Sequence, residues 1–100
     1  MSTVVLALPG AQAQAATLAQ YLGARNGTVE FRRFPDGESY YRIATDVRDC
    51  DVVVVAALRD PDPLALGLWY VADTAREMGA RRIGLVAPYL PYMRQDARFH

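Results

Sequence analysis

A five-residue stretch in the first half of the chain carries side chains that could bind a planar ligand. It reads Phe34-Pro35-Asp36-Gly37-Glu38, so an aromatic ring and two carboxylates surround a turn. Phe34 could stack on adenine or another planar base, while Asp36 and Glu38 could accept hydrogen bonds from its polar edge. The alternative is plain turn chemistry, which explains Pro35, Asp36 and Gly37 but leaves Phe34 and Glu38 without a role.

A second stretch of interest follows the last apolar run of the chain. Residues 82–87 resemble a strand, Pro88 is expected to end it, and the loop beyond contains Arg94-Gln95-Asp96. Ligands of open α/β sheets bind just beyond the carboxyl ends of parallel strands, which is where this loop would lie. Arg94 offers a planar fork of donors suited to phosphate, and Gln95 can both donate and accept. Taken alone, a solvated pair of loop charges is the commoner explanation of such a tripeptide.

Three apolar runs predict the strands that would position these loops. Residues 4–8 and 82–87 are short and almost wholly apolar, as in strands buried on both faces of a parallel sheet. Residues 52–58 form the most β-branched run of the chain. We therefore expect residues 52–58 to be the central strand.

Two amphipathic segments predict the helices that connect these strands. Apolar residues recur at helical spacing from Ala11 to Leu22, and Gly23 stands where a left-handed C-cap belongs. In the second segment, Asp62 fits the N-cap and Pro63 the first helical position. Its apolar stripe consists of Leu64, Leu68, Val71, Ala75 and Met78.

The stretch between the first helix and the central strand predicts a β-hairpin. Residues 28–34 and 39–43 alternate between apolar and polar side chains on either side of the Pro35-Asp36-Gly37 turn. Pro35 cannot donate to a ladder, so we expect an antiparallel hairpin at the edge of the sheet. The predicted fold class is therefore α/β, with three layers, a mainly parallel sheet and an antiparallel edge hairpin.

The composition is that of a single globular domain. The 100 residues are 52% hydrophobic and 22% charged, and eleven basic residues balance eleven acidic ones, which gives no sign of nucleic-acid binding. The apolar runs are too short to span a bilayer, and the first residues lack a signal peptide's positive region. Cys50 stands alone as an expected core filler, and the only histidine is His100, so no metal-ligand spacing appears. We expect a cytoplasmic protein.

The two motifs together carry a resemblance to a known family. Arg33-Phe34-Pro35-Asp36-Gly37-Glu38 and Pro88-Tyr89-Leu90-Pro91-Tyr92-Met93-Arg94-Gln95-Asp96 stand at similar spacing to those of the N-terminal domain of ribose-phosphate diphosphokinases, the phosphoribosyl pyrophosphate synthetases. Val47-Arg48 and the segment from Ala72 to Ala80 extend the match, so the whole chain resembles that domain. Either motif alone would be weak, and their combination is quite specific.

The resemblance implies a phosphoribosyltransferase-like fold and an ATP site. Members transfer the diphosphoryl group of ATP to ribose 5-phosphate with Mg²⁺. By resemblance, Phe34 stacks on adenine, Asp36 and Glu38 bind its polar edge, and Gly37 holds the turn open. Arg94 and Gln95 would hold the nucleotide, with the arginine near the phosphates. No residue of this chain receives a catalytic or metal-binding role.

The resemblance also implies partners. The two groups of ATP-binding residues meet across a subunit interface in the family, so a homo-oligomer is expected. Independently of the resemblance, Trp69 lies off the apolar stripe of the second helix, on a further apolar face that is expected to contact another domain or another copy. Residues 1–100 would be the N-terminal half of a longer two-domain protein and inactive by themselves.

Two alternatives remain open from the sequence. One is a non-catalytic regulatory homologue that binds nucleotide and associates with an active enzyme. The other is a salvage phosphoribosyltransferase, which shares the fold but uses a nitrogen base as its nucleophile. The pairing of residues 34–38 with residues 94–96 argues against the second, because it belongs to the synthetases' ATP site.

Overall fold

The computed structural model describes residues 2–37, 39–57 and 61–89. Their elements alternate between strands and helices along the chain, as the sequence pattern predicts. In chain order they are β1 (Thr3–Ala7), α1 (Gln12–Leu22), β2 (Arg25–Asn26), β3 (Val29–Arg33), β4 (Ser39–Ile43), β5 (Asp51–Ala57), α2 (Pro61–Glu77) and β6 (Arg82–Tyr89).

Four of the strands form a parallel sheet in the order β2-β1-β5-β6. β5 pairs with β1 on one side and β6 on the other, which confirms the prediction that the valine run is central. β3 and β4 pair antiparallel in a separate two-stranded sheet, whereas we expected the hairpin at the edge of the main sheet. The predicted α/β class, with a mainly parallel sheet and an antiparallel hairpin, is confirmed.

The two helices cover opposite faces of the sheet, which gives the predicted three layers. On one face, α1 packs on β1 and β5, and the buried residues there are Val5, Ala11, Ala15, Ala19 and Val55. The other face carries the larger core under α2 and the hairpin, and it includes Val4, Leu6, Val52, Val54, Val71 and Ala75. Cys50 is buried in this second core, as predicted for a small filler.

Three buried alanines, one just before α1 and two within it, contact the sheet. Ala11, Ala15 and Ala19 fall at a spacing of four and are almost fully buried against Val5 and Val55. Small side chains let the helix backbone lie close to the strands, so the interface has no room for a longer side chain.

Ala15→Leu is therefore expected to lower the free energy of unfolding by about 1–3 kcal/mol through overpacking. Urea unfolding of the variant would measure the loss. Ala16→Leu is the matched control, because Ala16 is the exposed neighbour on the same helix and should change stability by less than about 0.5 kcal/mol. Equal stabilities of the two variants would contradict this packing.

The helix ends agree with the sequence pattern at some positions and differ at others. Gly23 has φ 65° and donates to the carbonyl of Gln20, so the predicted left-handed C-cap of α1 is confirmed. α2 begins at Pro61, two residues before the position predicted for Pro63, and therefore includes Asp62. The prediction that Asp62 is the N-cap was wrong, because α2 begins at Pro61 and Asp62 lies within it. Neither helix of the described chain has the length and apolar character that a membrane span requires.

β6 differs from the prediction in its end and in its burial. It continues through Pro88 to Tyr89, because an extra residue between Val86 and Tyr89 bulges opposite the Val55–Ala57 segment of β5. A proline is tolerated at a bulge or on an outer strand, where its missing N–H breaks no ladder bond. Leu85 and Val86 are exposed, so the expectation of a strand buried on both faces was wrong for β6.

Candidate functional site

The predicted hairpin forms with the turn at the expected place. β3 and β4 pair in register from Val29 opposite Ile43 to Arg33 opposite Ser39. Because side chains alternate between faces along a strand, this register gives the hairpin one face toward the core and one toward solvent. The solvent-facing set and the turn residues make up the candidate site.

The inner face of the hairpin fixes it to the rest of the molecule. Tyr41 is only 8% exposed and its ring lies 5.0 Å from that of Phe31 and 6.3 Å from that of Tyr70, centroid to centroid. The Tyr41 ring also lies over Gly67 of α2, where an added Cβ atom would stand 2.5 Å from Cζ of the tyrosine. The hairpin is thus held against α2 at a glycine, where the absence of a side chain leaves room for the ring of Tyr41.

Burial also sets the ionisation of this anchor. It raises the pKa of the Tyr41 phenol above its usual value, and the nearby charge of Arg33 opposes that shift. Desolvation dominates, so the phenol stays neutral around neutral pH and the hairpin anchor carries no charge.

The turn holds three of the predicted site residues together. The N–H of Gly37 donates to the carbonyl of Phe34 at 2.9 Å, which closes a four-residue turn containing Pro35 and Asp36. Gly37 has φ 91°, a conformation that a residue with a side chain adopts only with strain. The predicted role of Gly37 in shaping the turn therefore has a physical basis, and Phe34 and Asp36 are brought to the same end of the hairpin.

Phe34 presents its ring to solvent, as a stacking residue must. Its side chain is 45% exposed, and the ring of Tyr40 lies 6.4 Å away at an angle of 59°. Exposed aromatic rings at the rim of a depression are suited to stacking on a base.

The solvent-facing side of the hairpin adds residues that sequence analysis did not assign to the site. Five side chains line an open depression of about 390 Å³, and we call this surface the outer face. An ion pair between Arg42 and Glu30, at 2.6 Å, lies at its far end from the turn. Side chains on one face of a strand lie two residues apart, so the predicted hairpin could have grouped residues 30, 32 and 34 with residues 40 and 42. The outer face consists of Glu30, Arg32, Phe34, Tyr40 and Arg42.

The remaining predicted site residues lie outside the described part of the chain. Glu38 follows the turn directly, and Arg94 and Gln95 belong to the segment after β6. β6 runs parallel to β5, and β5 to β1, so the carboxyl ends of these strands lie at the same edge of the sheet. The pairing of the two motifs in space therefore stays a prediction.

No metal site can be assigned to the described residues. Within residues 2–37, 39–57 and 61–89, no three histidine, cysteine, aspartate or glutamate side chains come together as ligands. The described residues therefore provide no set of ligands for the Mg²⁺ that the resemblance implies.

Comparison with known proteins agrees with this architecture. A family model described as the N-terminal domain of ribose phosphate pyrophosphokinase matches residues 3–100. The ribose-phosphate pyrophosphokinase of Saccharolobus solfataricus is 43% identical over 72 residues, which are 71% of this chain and 25% of that protein. The enzyme of the same name from Sulfolobus acidocaldarius is 40% identical over 83 residues, or 82% of this chain and 28% of that protein.

Solved structures show the same relationship. Phosphoribosylpyrophosphate synthetase from Mycobacterium smegmatis superposes with a TM-score of 0.80 at 27% identity, over 96% of this chain and 33% of that one. A purine phosphoribosyltransferase from Pyrococcus horikoshii shares the fold, with a TM-score of 0.66 at 17% identity over 86% of this chain and 58% of that one. The chain thus spans about a quarter to a third of the pyrophosphokinases and synthetase it matches. It belongs to the family described as the N-terminal domain of ribose phosphate pyrophosphokinase.

Proposed function

We propose that this chain is the ATP-binding N-terminal domain of a ribose-phosphate diphosphokinase. The whole enzyme would transfer the diphosphoryl group of ATP to ribose 5-phosphate, which makes phosphoribosyl pyrophosphate for nucleotide biosynthesis. Residues 1–100 would form its N-terminal domain and would be inactive alone. The observation that carries the proposal is the hairpin turn, which puts Phe34 and Asp36 together around Gly37 in a chain of this family.

Each predicted site residue has a distinct task in this proposal. Phe34 offers its exposed ring to the adenine, and Asp36 and Glu38 accept hydrogen bonds from the base. Arg94 neutralises phosphate charge and Gln95 orients the nucleotide. Diphosphoryl transfer depends on positioning and charge neutralisation more than on covalent help, so these binding residues supply what an ATP-holding domain must.

The proposed enzyme uses Mg²⁺ together with ATP. When bound with ATP, such an ion would supply positive charge that offsets the negative charge of the phosphates. We assign no residue of this chain to the ion, since the described residues offer no donor set for it.

We further propose a homo-oligomer in which the ATP site is shared between subunits. Trp69 is 76% exposed on α2, and it borders a groove of about 280 Å³ whose apolar lining includes Leu68 and Leu85. An exposed tryptophan beside an apolar groove is typical of a surface that contacts another subunit.

The cytoplasm is the proposed compartment, in keeping with the single, buried thiol of Cys50.

Nucleotide affinity of two variants tests the proposal. Phe34→Ala and Arg94→Ala are each expected to weaken ATP binding about tenfold or more, because stacking contributes on the order of 1–3 kcal/mol and a charged hydrogen bond ~1.5–3 kcal/mol. Isothermal titration of the full-length protein with ATP measures both. Tyr21→Ala is the control, since Tyr21 is an aromatic residue 86% exposed on α1, outside the site. The proposal fails if both variants bind ATP as the control does.

The two alternatives are separated from this proposal by simple assays. A regulatory homologue would bind ATP through the same residues, but the full-length protein would form no phosphoribosyl pyrophosphate. A salvage phosphoribosyltransferase would consume phosphoribosyl pyrophosphate and a nitrogen base instead of making it. Neither is favoured, because the Sulfolobus and Saccharolobus relatives are named as pyrophosphokinases and the match to the purine phosphoribosyltransferase is one of fold.

A further inference from the structure

The outer face holds two residues that the proposed ATP contacts leave without a task, Arg32 and Tyr40. They stand directly opposite each other in the β3–β4 ladder, so their side chains emerge side by side from the same face. Both line the depression that also contains the ring of Phe34. A base stacked on Phe34 in that depression would have Arg32 and Tyr40 as its neighbours.

The two arginines of the outer face differ in their electrostatic surroundings. Arg42 donates to Glu30 at 2.6 Å, so its guanidinium already has a carboxylate partner on this face. The side chain of Arg32 makes no hydrogen bond or ion pair with another residue of the described part of the chain. The guanidinium of Arg32 is therefore the cation of this surface that an incoming anion can use.

The aromatic pair gives the depression two walls. The rings of Phe34 and Tyr40 are 6.4 Å apart at their centroids and inclined by 59°. A planar base lying on one ring therefore meets the other ring at an angle, which restricts how the base can rotate. Tyr40 is itself exposed, so its ring is available for such a contact.

Arg32 lies in β3 and Phe34 follows its last residue, and both line the outer face. Residues two apart on a strand lie roughly 6–7 Å apart on the same face. One ribose separates the base of a nucleotide from its first phosphate, so a phosphate can reach Arg32 while the base stays on Phe34. A planar fork of donors is suited to phosphate oxygens.

We propose that the outer face recognises a nucleoside 5′-phosphate, with Tyr40 as a second wall for the base and Arg32 as the ligand of the first phosphate. This inference rests on the proposed function, because it takes the base to stack on Phe34. It adds two binding residues and divides their work, since Tyr40 acts on the base and Arg32 on the phosphate.

A ligand series separates these two contributions. The full-length protein and its variants are titrated with adenosine, AMP and ATP. Arg32→Gln is expected to weaken binding of AMP and ATP by roughly 10- to 100-fold and to leave adenosine binding unchanged within about twofold. Tyr40→Leu is expected to weaken all three by roughly tenfold, and Tyr40→Phe, which keeps the ring, to bind like the parent protein.

Arg33→Gln is the matched control for charge. Arg33 is the exposed neighbour of Arg32 on β3 but points to the opposite side of the hairpin, so its replacement removes the same charge from another surface. The assignment of Arg32 is overturned if Arg32→Gln weakens AMP no more than Arg33→Gln does, or if it weakens adenosine as much as AMP. The assignment of Tyr40 is overturned if Tyr40→Leu binds all three ligands normally.

Phe34→Ala distinguishes failure of this inference from failure of the proposed function. If Phe34→Ala weakens ATP binding while Arg32→Gln and Tyr40→Leu do not, the nucleotide lies on Phe34 and only the inference is wrong. If Phe34→Ala binds ATP normally, the proposed base contact is wrong and the inference fails with it.

Discussion

Tyr41→Ala is expected to destabilise the protein by about 3–5 kcal/mol and to weaken nucleotide binding at the same time. The stability loss follows from removing a buried ring, for which large-to-small aromatic substitutions set that range. The binding loss follows from the proposed site, because Tyr41 holds β4 against α2 and β4 is the strand that follows the turn carrying Phe34 and Asp36. Urea unfolding measures the first effect and ATP titration under native conditions the second.

Two further variants make this prediction specific. Tyr41→Phe keeps the ring and removes only the hydroxyl, so most of the stability and the ATP affinity should remain. Tyr21→Ala removes a tyrosine that is 86% exposed and should change the free energy of unfolding by less than about 0.5 kcal/mol. If Tyr41→Ala behaved like Tyr21→Ala, the hairpin would not depend on this anchor.

Gly67→Val is expected to lower stability by about 3 kcal/mol, although glycine is a poor residue for a helix interior. Helix propensity alone favours the valine by a few tenths of a kcal/mol. Overpacking opposes it more strongly, since even a Cβ atom at position 67 would stand 2.5 Å from Cζ of Tyr41, and valine adds two methyl groups. The packing term is the larger, so the net effect is destabilising. Thermal or urea unfolding measures it.

A double-mutant cycle identifies the cause of that loss. In the Tyr41→Ala background the ring is gone, so Gly67→Val should become nearly neutral and the coupling energy should reach about 2–3 kcal/mol. Additive effects of the two substitutions would show that the valine clashes with something other than Tyr41, and the described anchor would then be wrong.

The sequence predicted correctly those elements whose own residues carry a clear pattern. The valine run of β5, the alanine spacing of α1 and the glycine that ends it each appear in the structure as predicted. β2 was not predicted, because Arg25–Asn26 is two exposed residues with no hydrophobic pattern. Its identity as a strand comes only from pairing with Val4 and Val5 of β1. The passage of β6 through Pro88 likewise depends on a bulge against β5, which no local pattern reveals.

The candidate site was predictable in its turn and not in its surroundings. Phe34, Asp36 and Gly37 stand together because they are neighbours in sequence. The contact between Gly67 and Tyr41 joins residues far apart along the chain. A glycine in a predicted helix does not by itself indicate that an aromatic ring packs on it. Arg32 and Tyr40 share a face only once the register of β3 and β4 is fixed, and an uncertainty of one residue would have reversed that face.

Because the hairpin is a sheet of its own, the molecule can open there without unfolding the four-stranded sheet. A lone two-stranded hairpin is marginal in water, so β3 and β4 depend on the inner-face contacts and open locally at a lower free energy than β1 and β5. Under the proposed function, such an opening dismantles the turn and releases the nucleotide, so ligand at ~100 times its Kd raises the opening free energy by about 2.7 kcal/mol. Local openings of α1 or β2 leave the turn intact, so nucleotide does not raise their opening free energies. Nucleotide would thus rigidify the hairpin while those distant segments keep their own fluctuations.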